Sequence, residues 1–329
     1  MVYVRNGIVW LLSFLMIMPP QWALAADAIV IDGGAAAANQ AALATTPNGK
    51  AMLNIVAPNA SGVSHNKFTN FNVTSSGLVI NNATALANTS LAGVIEANPN
   101  FSGNSASLIL NEVTSSNRST LSGATEIGGQ AADYILANPN GITCNGCGFI
   151  NTPRATLTTG TPTFTGSALT GLSVNAGDVV VEGLGLDASN ATKFDIVTRA
   201  ATINAQINAK DLGIHTGRQD FDYATRSGTA KADDGSAKPT FAIDSTALGG
   251  MYANRITLVG TEAGVGVRVA VLSDPRAPRR RVDQARDGQG SQRQEARVRG
   301  RQGAAVRSVR RGANTIRSQA AGYLSGRLQ

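Results

Sequence analysis

Lys193-Phe-Asp-Ile-Val-Thr-Arg-Ala-Ala-Thr-Ile-Asn-Ala-Gln-Ile-Asn-Ala-Lys-Asp-Leu-Gly-Ile214 packs three short strand signals into 22 residues. Phe194-Asp195-Ile196-Val197, Ala201-Thr202-Ile203-Asn204 and Leu212-Gly213-Ile214 are rich in the β-branched and apolar side chains that suit a pleated surface. At Ile203, Ala205 and Ile207 the apolar positions recur every second residue, the period that sends one side of a strand into a core. No spacing of three or four interrupts this pattern, so an amphipathic helix is excluded here.

Similar segments recur outward in both directions. Gly77-Leu-Val-Ile80, Ser107-Leu-Ile-Leu110, Tyr134-Ile-Leu136, Ala155-Thr-Leu-Thr158 and Val179-Val-Val181 precede this stretch; Phe241-Ala-Ile-Asp244, Ile256-Thr-Leu-Val259 and Val265-Gly-Val267 follow it. Asn-Gly, Ala-Gly-Asp and Gly-Gly turn formers lie between them. The 329 residues are 43% hydrophobic but only 15% charged and 5% aromatic. So little charge cannot cover the exposed faces of an ordinary helical domain, and so many apolar residues argue against disorder throughout. Many short strands fit either a sandwich or barrel, or a parallel β-helix of stacked coils. The 24 Asn between positions 27 and 267 favour the β-helix. Its tight corners tolerate Gly and Asn, and stacked Asn side chains can hydrogen-bond along the axis.

The formal charge of +7 is unevenly placed. Residues 1–267 carry 13 Lys and Arg against 17 Asp and Glu, whereas residues 268–329 carry 15 Arg, no Lys and 4 acids. The basic balance therefore belongs to the end of the chain and says nothing about the partners of the rest. At the other end, Arg5, the apolar run Ile8–Met18, Pro19-Pro20 and Ala23-Leu-Ala25 together predict a secretory signal peptide over residues 1–25. The run is about half the length that a transmembrane helix needs.

Export leads to an oxidising compartment, so Cys144 and Cys147 in Thr-Cys-Asn-Gly-Cys-Gly are expected to form a small disulfide loop. A redox pair or half of a zinc site is the alternative. No second cysteine pair exists, however, and the histidines are His65 and His215 alone. In Asn138-Pro139-Asn140-Gly141-Ile142, Pro fixes φ, Gly accepts a backbone conformation closed to other residues, and Asn can bond nearby amides; the result is a rigid turn.

Longer words narrow the choice. Asn54-Ile-Val-Ala-Pro-Asn-Ala-Ser-Gly-Val-Ser-His-Asn-Lys-Phe-Thr-Asn-Phe-Asn-Val73 resembles the opening of filamentous-haemagglutinin-type secretion domains. Ile109-Leu-Asn-Glu-Val113, Ala137-Asn-Pro-Asn-Gly-Ile142, Cys144-Asn-Gly-Cys-Gly-Phe-Ile-Asn-Thr152 and Ala155-Thr-Leu-Thr-Thr-Gly-Thr-Pro162 are similar to the same family in the same order, and Asn254–Val267 to its final coil. The resemblance implies an all-β right-handed parallel β-helix with an N-terminal cap and extra-helical hairpins over residues 26–267. It also implies the secretion domain of a two-partner exoprotein, whether adhesin, haemolysin or contact-dependent toxin. Export would run through the Sec machinery to the periplasm. There the POTRA domains of an outer-membrane β-barrel transporter would recognise the domain and send the protein to the cell surface or medium. Asn98-Pro99-Asn100-Phe101 resembles the family's Asn-Pro-Asn-Leu motif but ends in Phe. With Asn138 to Ile142, these residues are candidates either for transporter contact or for coil corners that matter only to folding.

A secreted β-helical carbohydrate-active enzyme is the competing class. Its carboxylates and bases would come from Asp195, Arg199, Asp211, His215 and Arg218, which are scattered and match no catalytic signature. His215 is expected at the surface or a coil edge. No enzyme activity, cofactor or metal is expected. After Val267, Arg-rich text without Lys predicts a disordered tail over residues 268–329. A standalone surface-binding protein would use such a tail. GC-rich DNA read out of frame would also give it, and the exclusion of Lys favours that origin over a nucleic-acid-binding module. The expectation is thus a truncated exoprotein with no nucleic-acid partner, which would meet a host or neighbouring cell only through a missing C-terminal region.

Overall fold

The computed structural model describes residues 28–246, 249–269, 305–310 and 315–324; the expected signal peptide lies outside them. Between residues 51 and 269 the chain winds through three flat parallel sheets that form the three faces of a right-handed parallel β-helix. Ala51–Asn54, Leu78–Asn82, Ala124–Gly129, Cys147–Ile150, Leu186–Ala188, Ile207–Ala209 and the start of Met251–Gly260 stack to make the first face. The second is Val63–Phe71, Leu108–Val113, Asp133–Ala137, Arg154–Thr158, Lys193–Thr198, Asp211–Thr216 and the rest of Met251–Gly260. Ser119–Leu121, Ile142–Cys144, Asp178–Val181, Ala200–Ile203, Phe241–Ser245 and Gly266–Val269 make the third.

Each coil places one residue per column into a continuous core. Leu136, Leu157, Ile196 and Ile214 stack inward on the second face, and Ile142, Val179, Ala201 and Ile243 on the third. Tyr134, Phe149 and Phe194 form an aromatic column with ring centroids 5.5 and 5.6 Å apart. The alternation at Ile203, Ala205 and Ile207 carries through a corner. Ile203 ends a third-face strand, Ile207 begins a first-face strand, and Ala205 stays in the core between them.

Asparagine behaves differently from the expected axial ladder. Asn81 Nδ2 donates to Asn54 Oδ1 at 2.9 Å, but most buried Asn side chains serve the backbone. Asn82 Nδ2, for example, donates to the carbonyls of Ala106 and Gln130. Corners leave peptide groups without sheet partners, and a short amide side chain is the group that reaches them.

At the N-terminal end, Ile29–Ile31 pairs antiparallel with Val63–Phe71, and Ala42–Thr45 with Ala51–Asn54, which caps the first coil. Two kinds of excursion leave the helix. Ala87–Thr89 and Gly93–Ile95 form one hairpin. Thr161–Thr165, Ala168–Val174, Gln219–Asp222 and Ser227–Ala230 join two insertions, from different coils, into a four-stranded antiparallel sheet.

The end of the chain differs from the tail expected without regular structure. Gly266–Val269 continues the third face two residues past Val267. Ala305–Arg310 and Thr315–Leu324 form an antiparallel hairpin whose second strand pairs with Met251–Gly260. An unpaired strand edge accepts hydrogen bonds from any extended backbone, and antiparallel pairing does not require the coil geometry that this text lacks. The remainder of the Arg-rich stretch lies outside the described residues.

Candidate functional site

The two Asn-Pro-Asn turns share one construction. In each, the first Asn is buried and the second exposed. Asn138 Oδ1 accepts from Asn140 N at 3.0 Å, while its Nδ2 donates to Asn117 O and Ser119 Oγ, both at 2.9 Å. Asn98 Oδ1 accepts from Asn100 N at 2.9 Å, and its Nδ2 donates to Ile55 O and Asn81 O. Gly141 N and Phe101 N close the turns onto the carbonyls of Asn138 and Asn98. The second Asn also reaches back, Asn140 Nδ2 to Ser115 O and Asn100 Nδ2 to the carbonyls of Asn54 and Ile55. The first Asn of each motif therefore ties coils together, and Pro99, Asn100, Pro139 and Asn140 form the outward side. Ile142 points into the core, and Phe101 packs half-buried against it.

Arg118 completes the second turn, and no local motif marks it. Its guanidinium bonds Thr143 Oγ1, Ile142 O and both carboxylate oxygens of Asp178. Gly141 has φ +104°, and a Cβ there would stand 2.2 Å from Arg118 Nη1. The next corner holds Cys144 and Cys147, joined as a disulfide with both side chains in the core.

A second constellation lies on the outer side of the second face, beneath the four-stranded sheet. Asp195 is fully buried there; its carboxylate accepts from Arg154 Nε at 2.9 Å and from Arg226 Nη2 at 2.6 Å. Arg226 also pairs with Asp211 at 3.0 Å, and Arg255 closes on the same carboxylate. Burial opposes ionisation of Asp211, but Arg255 and Arg226 outweigh it and hold its carboxyl below the usual range. At Asp133, burial prevails over Arg154 and the Tyr223 hydroxyl and raises the carboxyl. Arg154 lies 3.7 Å from the centroid of the Tyr223 ring.

The candidate catalytic groups thus divide. Asp195 and Asp211 come together, but in a network sealed by arginines rather than lining a cleft. Arg199 pairs with Glu262 at 2.7 Å, and Arg218 with Asp234 at 2.7 Å. His215, expected at the surface or a coil edge, is buried with its ring 4.9 Å from that of Phe221, because the outer sheet covers that coil. Among the described residues no group of three or more His, Cys, Asp or Glu could hold a metal ion.

This architecture has counterparts. The family model of the TPS secretion domain matches residues 28–279, and the chain belongs to that family. The chain is similar to the 16S rRNA endonuclease CdiA of Enterobacter cloacae, with 47% identity over 229 residues, 69% of this chain and 7% of that protein. It is also similar to the tRNA nuclease CdiA of Yersinia mollaretii, 44% identical over 276 residues, 83% of this chain and 9% of that protein. A crystal structure of the filamentous hemagglutinin secretion domain superimposes with a TM-score of 0.67 at 39% identity, covering 73% of this chain and 81% of that one. The chain spans less than a tenth of the length of these curated relatives, whose nuclease names describe full-length toxins. Family membership implies recognition by an outer-membrane transporter and secretion to the cell surface or beyond. The carbohydrate-active alternative is not favoured.

Proposed function

We propose that residues 26–267 are the delivery unit of a large contact-dependent toxin of the CdiA type. Sec would export the chain, and the POTRA domains of the transporter would grip the outward sides of the two Asn-Pro-Asn turns. The observation behind this assignment is the shared construction of the turns, each setting a Pro and an exposed Asn on a buried Asn that ties coils together. A rigid scaffold that presents few polar groups loses little entropy on binding. Toxic activity, on this proposal, belongs to other parts of such a protein, and the delivery unit carries out no chemistry.

The test is co-expression of the full chain with its transporter. Asn100→Ala and Asn140→Ala together should lower secretion at least tenfold with an unchanged circular dichroism spectrum. Secretion of the unaltered chain to the same level without the transporter would refute the delivery role. Full secretion of the double variant would refute the assigned contact.

A further inference from the structure

The second face is buried on both sides, although only one side meets the helical core. On its outer side Leu110, Ile135, Thr156 and Asp195 stack in register, and all four are fully buried. Their cover is the four-stranded sheet of 161–174 and 219–230, two insertions united where Ala168–Val174 pairs with Gln219–Asp222. Gly171 allows this union, since a Cβ there would stand 2.5 Å from Phe221 O.

The cover reaches every coil beneath it. At the first coil Phe164 stacks on His65 with centroids 5.3 Å apart, and the hydroxyls of Ser167 and Ser61 are 2.7 Å apart. Leu169 and Tyr223 pack on Val63, Leu108, Leu110, Ile135 and Ala137. Phe221 packs with Leu172, Val174 and Val197. Arg226 closes the far end on Asp195 and Asp211.

We infer that this outer sheet is a folding lock, which makes the first coils' stability depend on residues that follow them by up to 160 positions. A chain stopped before Thr161 would leave the outer apolar columns of its first coils in water, and one stopped before Gln219 would lack both Tyr223 and Arg226. Delivered from its N-terminus, the chain would remain loosely folded until residues near Ala230 arrive. The lock concerns folding order and stands whether or not the Asn-Pro-Asn turns touch a transporter.

Hydrogen exchange on the full chain tests this. Tyr223→Ala should lower amide protection across Val63–Phe71 and Leu108–Val113 at least tenfold, as far as it does in the outer sheet. Loss confined to 161–174 and 219–230 would overturn the lock. If Tyr223→Ala does not fold, Tyr223→Phe, which removes only the hydroxyl bond to Asp133, should produce a smaller loss, about threefold, in the same strands; no change there would equally overturn it. In pulse-labelled refolding of the unaltered chain, Val63–Phe71 should gain full protection in the same kinetic phase as Gln219–Ala230. Full protection of the first strand in an earlier phase would also overturn the lock. Oxidised Ser61→Cys/Ser167→Cys added to the destabilised variant should restore at least half of the lost protection, and no recovery would count against the lock.

Discussion

Arg226 reaches across the outside of the coils to Asp195, 31 residues earlier, and closes on a carboxylate with no solvent exposure at 2.6 Å. Gly213 lies beneath this contact, where a Cβ would stand 2.5 Å from Asp195 Oδ1 and 2.9 Å from Arg226 Nη2. Arg226→Ala should cost about 3 kcal/mol, because it leaves a buried carboxylate short of one partner. Gly213→Ala should cost about 2 kcal/mol by forcing the same two groups apart. Denaturant titration of both variants checks this, and a change of less than about 0.5 kcal/mol for Arg226→Ala would show the pair to be dispensable.

The two asparagines of the second turn should separate folding from recognition. Asn138→Ala removes two donated bonds and one accepted bond at a buried site, and should lower stability by about 2 to 3 kcal/mol along with secretion. Asn140→Ala, on the exposed side, should change stability by less than about 1 kcal/mol. Thermal melts compared with secreted yield distinguish the two, and equal melting temperatures for both variants would contradict this division.

Replacing Cys144 and Cys147 by Ser should destabilise the chain by about 2 kcal/mol, the loop-closure value for so short a ring. Free-thiol titration of protein purified without reductant should find none. A measurable thiol in the folded protein would contradict the bond.

Acid should act on two neighbouring carboxylates with opposite sign. Asp211 has a folded value below the ordinary 3.8, so its contribution is complete above that value and is lost as pH falls further. Asp133 has a folded value above 3.8, so its ionised form disfavours the folded state at neutral pH, and protonation relieves this as pH falls toward 3.8. Asp211→Asn should therefore flatten the loss of stability below pH about 4, whereas Asp133→Asn should stabilise the protein at pH 7. A loss of stability for Asp133→Asn at pH 7 would reverse the sign assigned to burial.

Deleting residues 305–329 should expose the edge of Met251–Gly260 now paired with Thr315–Leu324. Light scattering should show concentration-dependent association through that edge. A deletion product that stays monomeric up to about 100 µM would show that the edge needs no cover.

The coils were legible because the inward columns obey simple rules: alternation at Ile203, Ala205 and Ile207, and Gly or Asn at the turns. The doubly buried face left a fainter signal. Ser107-Leu-Ile-Leu110 and Tyr134-Ile-Leu136 are continuous rather than alternating, as expected for a strand covered on both sides. Nothing local identified the cover, since 161–174 and 219–230 are rich in Thr, Gly and Asp, and their pairing joins residues about fifty positions apart. Asp195 and Asp211 looked scattered because each coil advances a column by one place while consuming many residues of chain. Arg118 was hidden for the same reason; its partner Asp178 is 60 positions away.

The strand Met251–Gly260 shows a neighbour a bare row of peptide groups, and such a row reads backbone rather than side chains. Almost any passenger with extended propensity can couple to it, in either direction, without altering the coils before it. A delivery unit ending this way is a universal adaptor. Its cargo can be exchanged, lengthened or rewritten over generations while the machinery that recognises its front end stays the same.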